Sequence, residues 1–341
     1  MATRAEVAKL AGVSEATVSY VLSGKRKISE PVQRRVVSAM QKLNYRPNRM
    51  AQALAGGKSR VIALLFPTAA KGIANVDLEY GLGAAAAAQE LGYHLVMWPT
   101  FDRSISEVIA TANAGLLDGV ILMEVAMQDE RVSALSKAKI PVGLIGRTDN
   151  EGRDSLFADR DFAGAADAAV KYFAELGHKR IGFVTERRGK SDIVVAALVR
   201  AHDGMVAAAK KYGLKLTQFE SSTDVDAGRR LLHQIIESPA SVTGVIALNP
   251  GASVGILQEA NIIGLSIPKD LSVLSMASPE SFVSATQPRL STISPPAYEM
   301  GDCAARRLIA HLEGSKEPDL PQKLWLGELQ VRETTAAPNN L

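Results

Sequence analysis

The 341-residue sequence has a single cysteine, Cys303, which excludes an internal disulfide and a multi-thiolate metal site. Long apolar runs are also missing. The nearest approach, the five alanines 84–88, lies inside a helical pattern and falls far short of the roughly 18 residues that span a bilayer. The amino terminus lacks the apolar stretch that directs secretion, so the cytoplasm is the expected address. The five histidines (His94, His178, His202, His233 and His311) show no metal-ligand spacing with one another or with Cys303, and no G-x-S-x-G nucleophile motif occurs. No metal, no cofactor and no catalytic residue are expected, and each lone histidine reads as a surface or capping residue. What is present is ordinary globular composition, 47% hydrophobic and 22% charged, in a chain long enough for two or three folded units at roughly 100 to 200 residues each.

Charge is divided unevenly. The first sixty residues hold twelve Lys or Arg against three acids, a net +9, while the whole chain is only +3 and the other 281 residues therefore carry −6. Such a split suits a small module that meets a polyanion, joined to a larger body that does not. A solvated basic face has the same composition.

Within that module Thr3 can cap a helix over residues 4–10, which Gly12 stops. Ser14 is a second cap, for a helix over 15–22 that buries Val18, Val21 and Leu22 and exposes Glu15, Ala16, Thr17, Ser19 and Tyr20. Ala8 permits a close crossing, so the two helices satisfy the requirements of a helix-turn-helix. A third helix starts at Ser29, with Pro31 in its first turn and Val32, Val36, Met40 and Leu43 inward. Small basic three-helix units usually read DNA, and some mediate protein contacts only.

The stretches "MATRAEVAKLAGVSEATVSYVLSGK" and "ISEPVQRRVVSAMQKLNYRPNRMAQAL" resemble the headpiece of the lactose-repressor (LacI/GalR) family of bacterial transcription regulators. Weaker similarity continues in the family's order through "ELGHKRIGFV", "IPKDLSVLSM", "PRLSTISPPAYEMG" and "LQVRETTAAP". The resemblance implies that Glu15, Ala16 and Tyr20 face base edges in the major groove. Glu15 can accept from a cytosine amino group, Ala16 can touch a thymine methyl, and Tyr20 can hydrogen-bond or simply pack on the headpiece. Thr17, Ser19, Lys25 and Arg26 suit phosphate contacts, which fix register. Residues 48–55 read as a short helix with little to bury. In the family its equivalent folds against its dimer mate in the minor groove, which makes Leu54 the candidate wedge; the double glycine after it also permits a flexible linker. Gln52 and Ala55 depart from the family's basic residues there.

From Arg60 onward, "RVIALLF", "YHLVMW", "GVILM" and "PVGLI" alternate with helix-length amphipathic segments, and "RIGFV", "TGVIAL" and "LSVLSM" begin the pattern again. This is the rhythm of parallel βαβ units. The expected fold class is α/β: an all-α helix-turn-helix headpiece over 1–47, a hinge helix and linker over 48–59, and a two-subdomain, periplasmic-binding-protein-like core with parallel open sheets over 60–341. The resemblance divides that core into an N-subdomain (about 60–160 and 291–321) and a C-subdomain (about 161–290 and 322–341). Gly81 to Ala86 matches G-x-G-x-x-A, but no buried strand precedes it, and it reads as a small-residue helix face.

Ligands of such sheets sit at the carboxyl ends of strands. Asp77, in a loop after the first strand, with Glu124, Arg147, Asp159, Arg200 and Asn249, are the candidate effector contacts, and each equally suits a cap or an intersubdomain ion pair. Several positions depart from the family. Val76 and Asp77 stand where an aromatic platform is common, Asn249-Pro250 where Asn-Asp is common, and Ser275 to Ser278 where Gly-Phe-Asp-Asp is common. The effector arginine falls on Ala201, with Arg200 adjacent, if Gly204 is the reference glycine. Either the effector differs from the usual pyranose or the cleft no longer senses one. The implied partners are a double-stranded, pseudo-palindromic DNA operator, a small-molecule effector such as a sugar or related metabolite, and a second copy of the chain, with no membrane. Rival readings are an effector-independent architectural DNA protein and a small-molecule receptor with an incidental headpiece.

Overall fold

The structure is a computed structural model that describes residues 2–23, 26, 28–45, 58–67, 75–100, 105–149, 156–186, 195–315 and 324–339. The chain divides into two compact units, one formed essentially by residues 1–59 and the other by the bulk of residues 60–341.

The first unit contains α1 (Arg4–Ala11), α2 (Glu15–Ser23) and α3 (Glu30–Lys42). A full capping box opens α1: Thr3 Oγ1 accepts from the Glu6 amide at 3.3 Å and the Glu6 carboxylate accepts from the Thr3 amide at 2.7 Å. Gly12 ends the helix at φ +64 with open space where a Cβ would lie, so it is backbone conformation that requires glycine there. Ser14 Oγ then caps α2 by accepting from the Thr17 amide at 3.1 Å. Val7, Ala8, Ala11, Val18, Val36 and Ala39 form the core, and Val21, Leu22, Met40 and Leu43 pack around it. Lys25, Leu54 and the hinge residues around it, Gln52 and Ala55 included, lie outside the described residues.

The second unit holds two six-stranded sheets. Its first stretch contributes β1 (Val61–Pro67), α4 (Asn75–Glu90), β2 (His94–Thr100), α5 (Ser106–Asn113), β3 (Gly119–Leu122), α6 (Glu130–Lys137), β4 (Val142–Ile145) and β5 (Phe157–Arg160). The next contributes α7 (Phe162–Glu175), β6 (Arg180–Glu186), α8 (Ala196–Tyr212), β7 (Lys215–Ser221), α9 (Val225–Glu237), β8 (Gly244–Ala247), α10 (Pro250–Ile263), β9 (Ser272–Ser275), α11 (Glu280–Val283) and β10 (Ser291–Ile293). The chain ends in α12 (Ala297–Leu312), β11 (Leu324–Trp325) and β12 (Leu329–Gln330). Strand order is β11-β5-β4-β3-β1-β2 in the N-lobe and β12-β10-β9-β8-β6-β7 in the C-lobe, all parallel except the β10/β12 pair.

The first lobe exchange falls between Arg160 and Phe162, about where the resemblance implied, and the other two fall later. Residues 291–293 pair with β9, so β10 belongs to the C-lobe, and the return to the N-lobe comes with α12. Leu324 and Trp325 pair with β5, so the last exchange comes after Trp325 rather than at residue 321. Asp77 is in the first turn of α4, not in a loop.

The match to G-x-G-x-x-A is indeed a helix face. Gly83 lies so close to α12 that a Cβ would stand 1.9 Å from the Tyr298 carbonyl oxygen, and one on Gly301 would stand 2.0 Å from that of Tyr80. Ala84, Ala87 and Ala88 join Ala304, Leu308 and the buried β1 and β3 side chains in the N-lobe core. In the C-lobe, Gly255 gives α10 the same access to α9, with a Cβ 2.1 Å from the Val225 carbonyl oxygen. Each fully buried Leu, Ile or Val in these layers contributes about 1.5 to 3 kcal/mol.

Candidate functional site

The surface of α2 is short and mixed. Glu15, Ala16 and Tyr20 are exposed and Thr17 and Ser19 half-buried, because Val18 alone of this turn faces the core. Tyr20 is 38% exposed, with the Arg26 guanidinium carbon 5.8 Å from its ring centre. Thr17 and Ser14 share a hydroxyl hydrogen bond of 2.9 Å. Arg4, at the start of α1, donates from Nε to Glu15 Oε2 at 3.3 Å.

A second site lies where the two lobes of the core meet. A cavity of about 130 Å³ is lined from the N-lobe by Asp77, Tyr80, Glu124, Arg147, Asp159 and Arg160, and from the C-lobe by Phe162, Val195 to Ala197 and Arg200. Five of the six candidate effector residues therefore converge on one cavity. Asn249 does not line it. Its side chain caps α10 by accepting from the Ala252 amide at 3.1 Å and donates to the Ser222 carbonyl at 2.8 Å, in a buried structural position.

Asp159 organises the charged wall. One carboxylate oxygen accepts from the Arg160 amide at 2.8 Å; the other accepts from Arg147 Nε at 3.0 Å and lies 3.8 Å from Arg200 Nη1. Burial pushes the Asp159 carboxyl up from its ordinary range, while the Arg160 amide, Arg200 and Arg147 pull the other way. Arg160 is itself buried. Its guanidinium donates to the Met276 carbonyl and, at 2.6 Å, to the Ile293 carbonyl, and it lies over the Phe162 ring at 5.3 Å. Burial pulls its pKa down to about 10, which leaves it charged at neutral pH. Burial likewise pushes the Tyr80 phenol up.

Further bonds join the lobes. Arg200 donates to the carbonyls of Arg147 at 2.7 Å and Thr148 at 3.1 Å, and the Ala196 amide donates to the Val125 carbonyl at 2.8 Å. Glu124 is held at φ +46, a conformation that costs a side-chain-bearing residue about 1 to 3 kcal/mol. Arg131 braces that turn by donating to the carbonyls of Met123 and Glu124 while paired with Asp129 at 2.8 Å. Reading the sequence missed Arg160, Tyr80 and Phe162. The only signal for Arg160 was its place beside Asp159 in "ADRD", at a strand end.

Among the described residues no group of three or more His, Cys, Asp or Glu could hold a metal ion, and no helix is long and apolar enough to cross a membrane. His178 is a buried brace, bonded to Thr243 Oγ1 at 2.7 Å and to the Ala336 carbonyl at 3.0 Å.

A helix-turn-helix headpiece followed by a two-lobed core with a charged interlobe cavity defines a DNA-binding regulator. Residues 3–48 match the family model for bacterial regulatory proteins of the lacI family, and residues 170–335 that for a periplasmic-binding-protein-like domain. The HTH-type transcriptional regulator AglR of Rhizobium meliloti (strain 1021) is 31% identical over 97% of this chain and 93% of its own length. The ribose operon repressor of Escherichia coli (strain K12) is 29% identical over 95% of this chain and 96% of its own. In fold, the chain is similar to the lac repressor dimer bound to operator and the anti-inducer ONPF, with a TM-score of 0.82 at 22% identity over 98% of this chain and 99% of that one. The chain belongs to the LacI family, and it is a DNA-binding transcription regulator.

Proposed function

We propose that this regulator is a cytoplasmic, non-enzymatic repressor that binds a pseudo-palindromic operator as a homodimer and changes its DNA affinity when a small polar molecule, a sugar or related metabolite, enters the interlobe cavity. The observation that carries the reading is that both lobes wall the cavity. A ligand that touches both shifts their relative populations only as far as its affinity differs between arrangements. The relatives support the ligand class: one controls a ribose operon, and a solved structural neighbour is the complex of the regulator CelR with cellobiose. On DNA, Glu15, Ala16 and Tyr20 meet bases, Thr17, Ser19, Lys25 and Arg26 meet phosphates, and Leu54 enters the minor groove at the centre. Asp77, Glu124, Arg147, Asp159 and Arg200 are the effector contacts. Asn249 is withdrawn from that set by its capping role.

The test is selection of bound duplexes from a random library at near-physiological salt, and then release assays with pentoses, hexoses and disaccharides. An enriched pseudo-palindrome, released or tightened by one sugar class, is the expected result. Equal affinity for all duplexes, falling together with salt, marks an architectural DNA protein instead.

A further inference from the structure

We infer that Arg4 is a specificity-determining residue which, with Glu15, forms one composite reader whose complement in the major groove is a C·G base pair. The inference rests on the reading of α2 as the base-reading helix.

The two residues are the first of their helices, and both helix starts are fixed. The Thr3–Glu6 capping box holds Arg4 at the head of α1, and the Ser14 cap holds Glu15 at the head of α2. Eleven residues apart in sequence, they meet through Arg4 Nε and Glu15 Oε2 at 3.3 Å. Both side chains are about half exposed, at 52% and 51%. An exposed pair of this kind adds little to stability, so its place on the reading surface is the more telling feature.

A lone carboxylate on a DNA-facing helix is repelled by the phosphates around it. Arg4 offsets that charge at contact distance and brings a second recognition group to the same spot. The pair commits Nε and Oε2, which leaves Glu15 Oε1 as an acceptor and both terminal guanidinium nitrogens as donors. In the major groove a C·G pair presents the cytosine amino donor beside the guanine O6 and N7 acceptors. Carboxylate and guanidinium side by side match that pattern. An A·T pair also offers an amino donor, but its two acceptors, adenine N7 and thymine O4, lie on either side of that amino group, so the guanidinium fork cannot take both at once as it takes guanine O6 and N7.

The experiment uses the full-length protein. Bound duplexes are selected with the wild type, and affinities of wild type, R4M, R4K, E15Q and the R4M/E15Q double variant are then measured on the best duplex and on versions changed at one base pair. The expected motif has one C·G pair per half-site at which R4M and E15Q each cut the preference by about 5- to 150-fold, with the double variant little worse than the stronger single one. R4K keeps the charge and loses part of the preference, since an ammonium has no fork. Because R4K retains the cation, it remains a test even if R4M weakens α1, which thermal melting reports. Uniform loss of affinity on every duplex with unchanged base preferences makes Arg4 a phosphate contact and overturns the proposal. A motif without that C·G pair also overturns it. Absence of any enriched motif for the wild type instead overturns the reading of α2, and the composite reader with it.

Discussion

The two lobes of the core share a strand order but line their common cleft with opposite chemistry. The ends of β3, β4 and β5 in the N-lobe carry Glu124, Arg147, Asp159 and Arg160. The matching ends of β8, β9 and β10 in the C-lobe carry Asn249, Ser275 and Ile293. Asn249 is consumed by a helix cap, and Ser275 shares a buried 2.8 Å hydrogen bond with Ser278. Repetition of a fold therefore fixes where a site can lie and says nothing about its charge. One lobe holds the ion network, and apart from Arg200 the other offers carbonyls and apolar wall.

The likeness of the lobes is tested most sharply at their glycine contacts. Gly83→Ala in the N-lobe and Gly255→Ala in the C-lobe each force a methyl group onto a neighbouring carbonyl oxygen. Each substitution is expected to cost about 3 kcal/mol, read from urea unfolding. Tolerance of either one breaks the equivalence of the two helix pairs.

Their chemical difference is tested by Arg160→Met against Ser278→Ala. The first leaves the Met276 and Ile293 carbonyls without their charged donor and removes one of the three arginines that line the cavity, at a cost of about 2 kcal/mol and with altered effector response. The second removes a neutral hydrogen bond, costs about 1 kcal/mol and leaves the effector response intact. Equal responses from the two variants would show that charge on the N-lobe wall does not matter.

The remaining effect concerns pH. Burial holds the His178 pKa below its ordinary 6.5 despite the Ala336 carbonyl bond. As pH falls past that value the unfolded chain takes up the proton first, so the stability from His178 is full above it and declines by up to about 1.4 kcal/mol per pH unit below. The C-lobe should weaken before the N-lobe in acid, by hydrogen exchange, and His178→Gln should flatten the dependence. An unchanged pH profile in that variant excludes His178 as its source.

Burial decides how much of this was legible in the sequence. β1, β3, β4, β6, β8 and β9 stand out as apolar runs because helices cover both faces of a parallel sheet. β7, "KLTQFES", does not, since polar and charged residues alternate through it, whereas β2, an edge strand just as exposed, still reads as "YHLVMW" because Val96 and Met97 occupy exposed positions. β5, "FADR", is hidden for another reason: half of it is charged, yet Asp159 and Arg160 are each only 3% exposed. No local pattern announces a charged pair that is buried by groups far away in sequence. The headpiece was the most legible part, since caps, glycine stop and inward valines all act within a few residues. Even there the Arg4–Glu15 pair was not seen, because it depends on how two helix starts meet.

The interleaving of the lobes also sets an order of assembly. Among the described residues the headpiece core is built within residues 7–45, whereas the N-lobe core takes Met300, Ala304, Leu308 and Trp325, and the C-lobe is pinned by Thr334 and Ala336. During synthesis these headpiece residues are therefore all present while both lobes still await their last segments. A chain interrupted anywhere between residues 60 and 290 keeps every described residue of the headpiece core and lacks part of each lobe, so folding of the core waits on its final fifty residues while the headpiece does not wait on them.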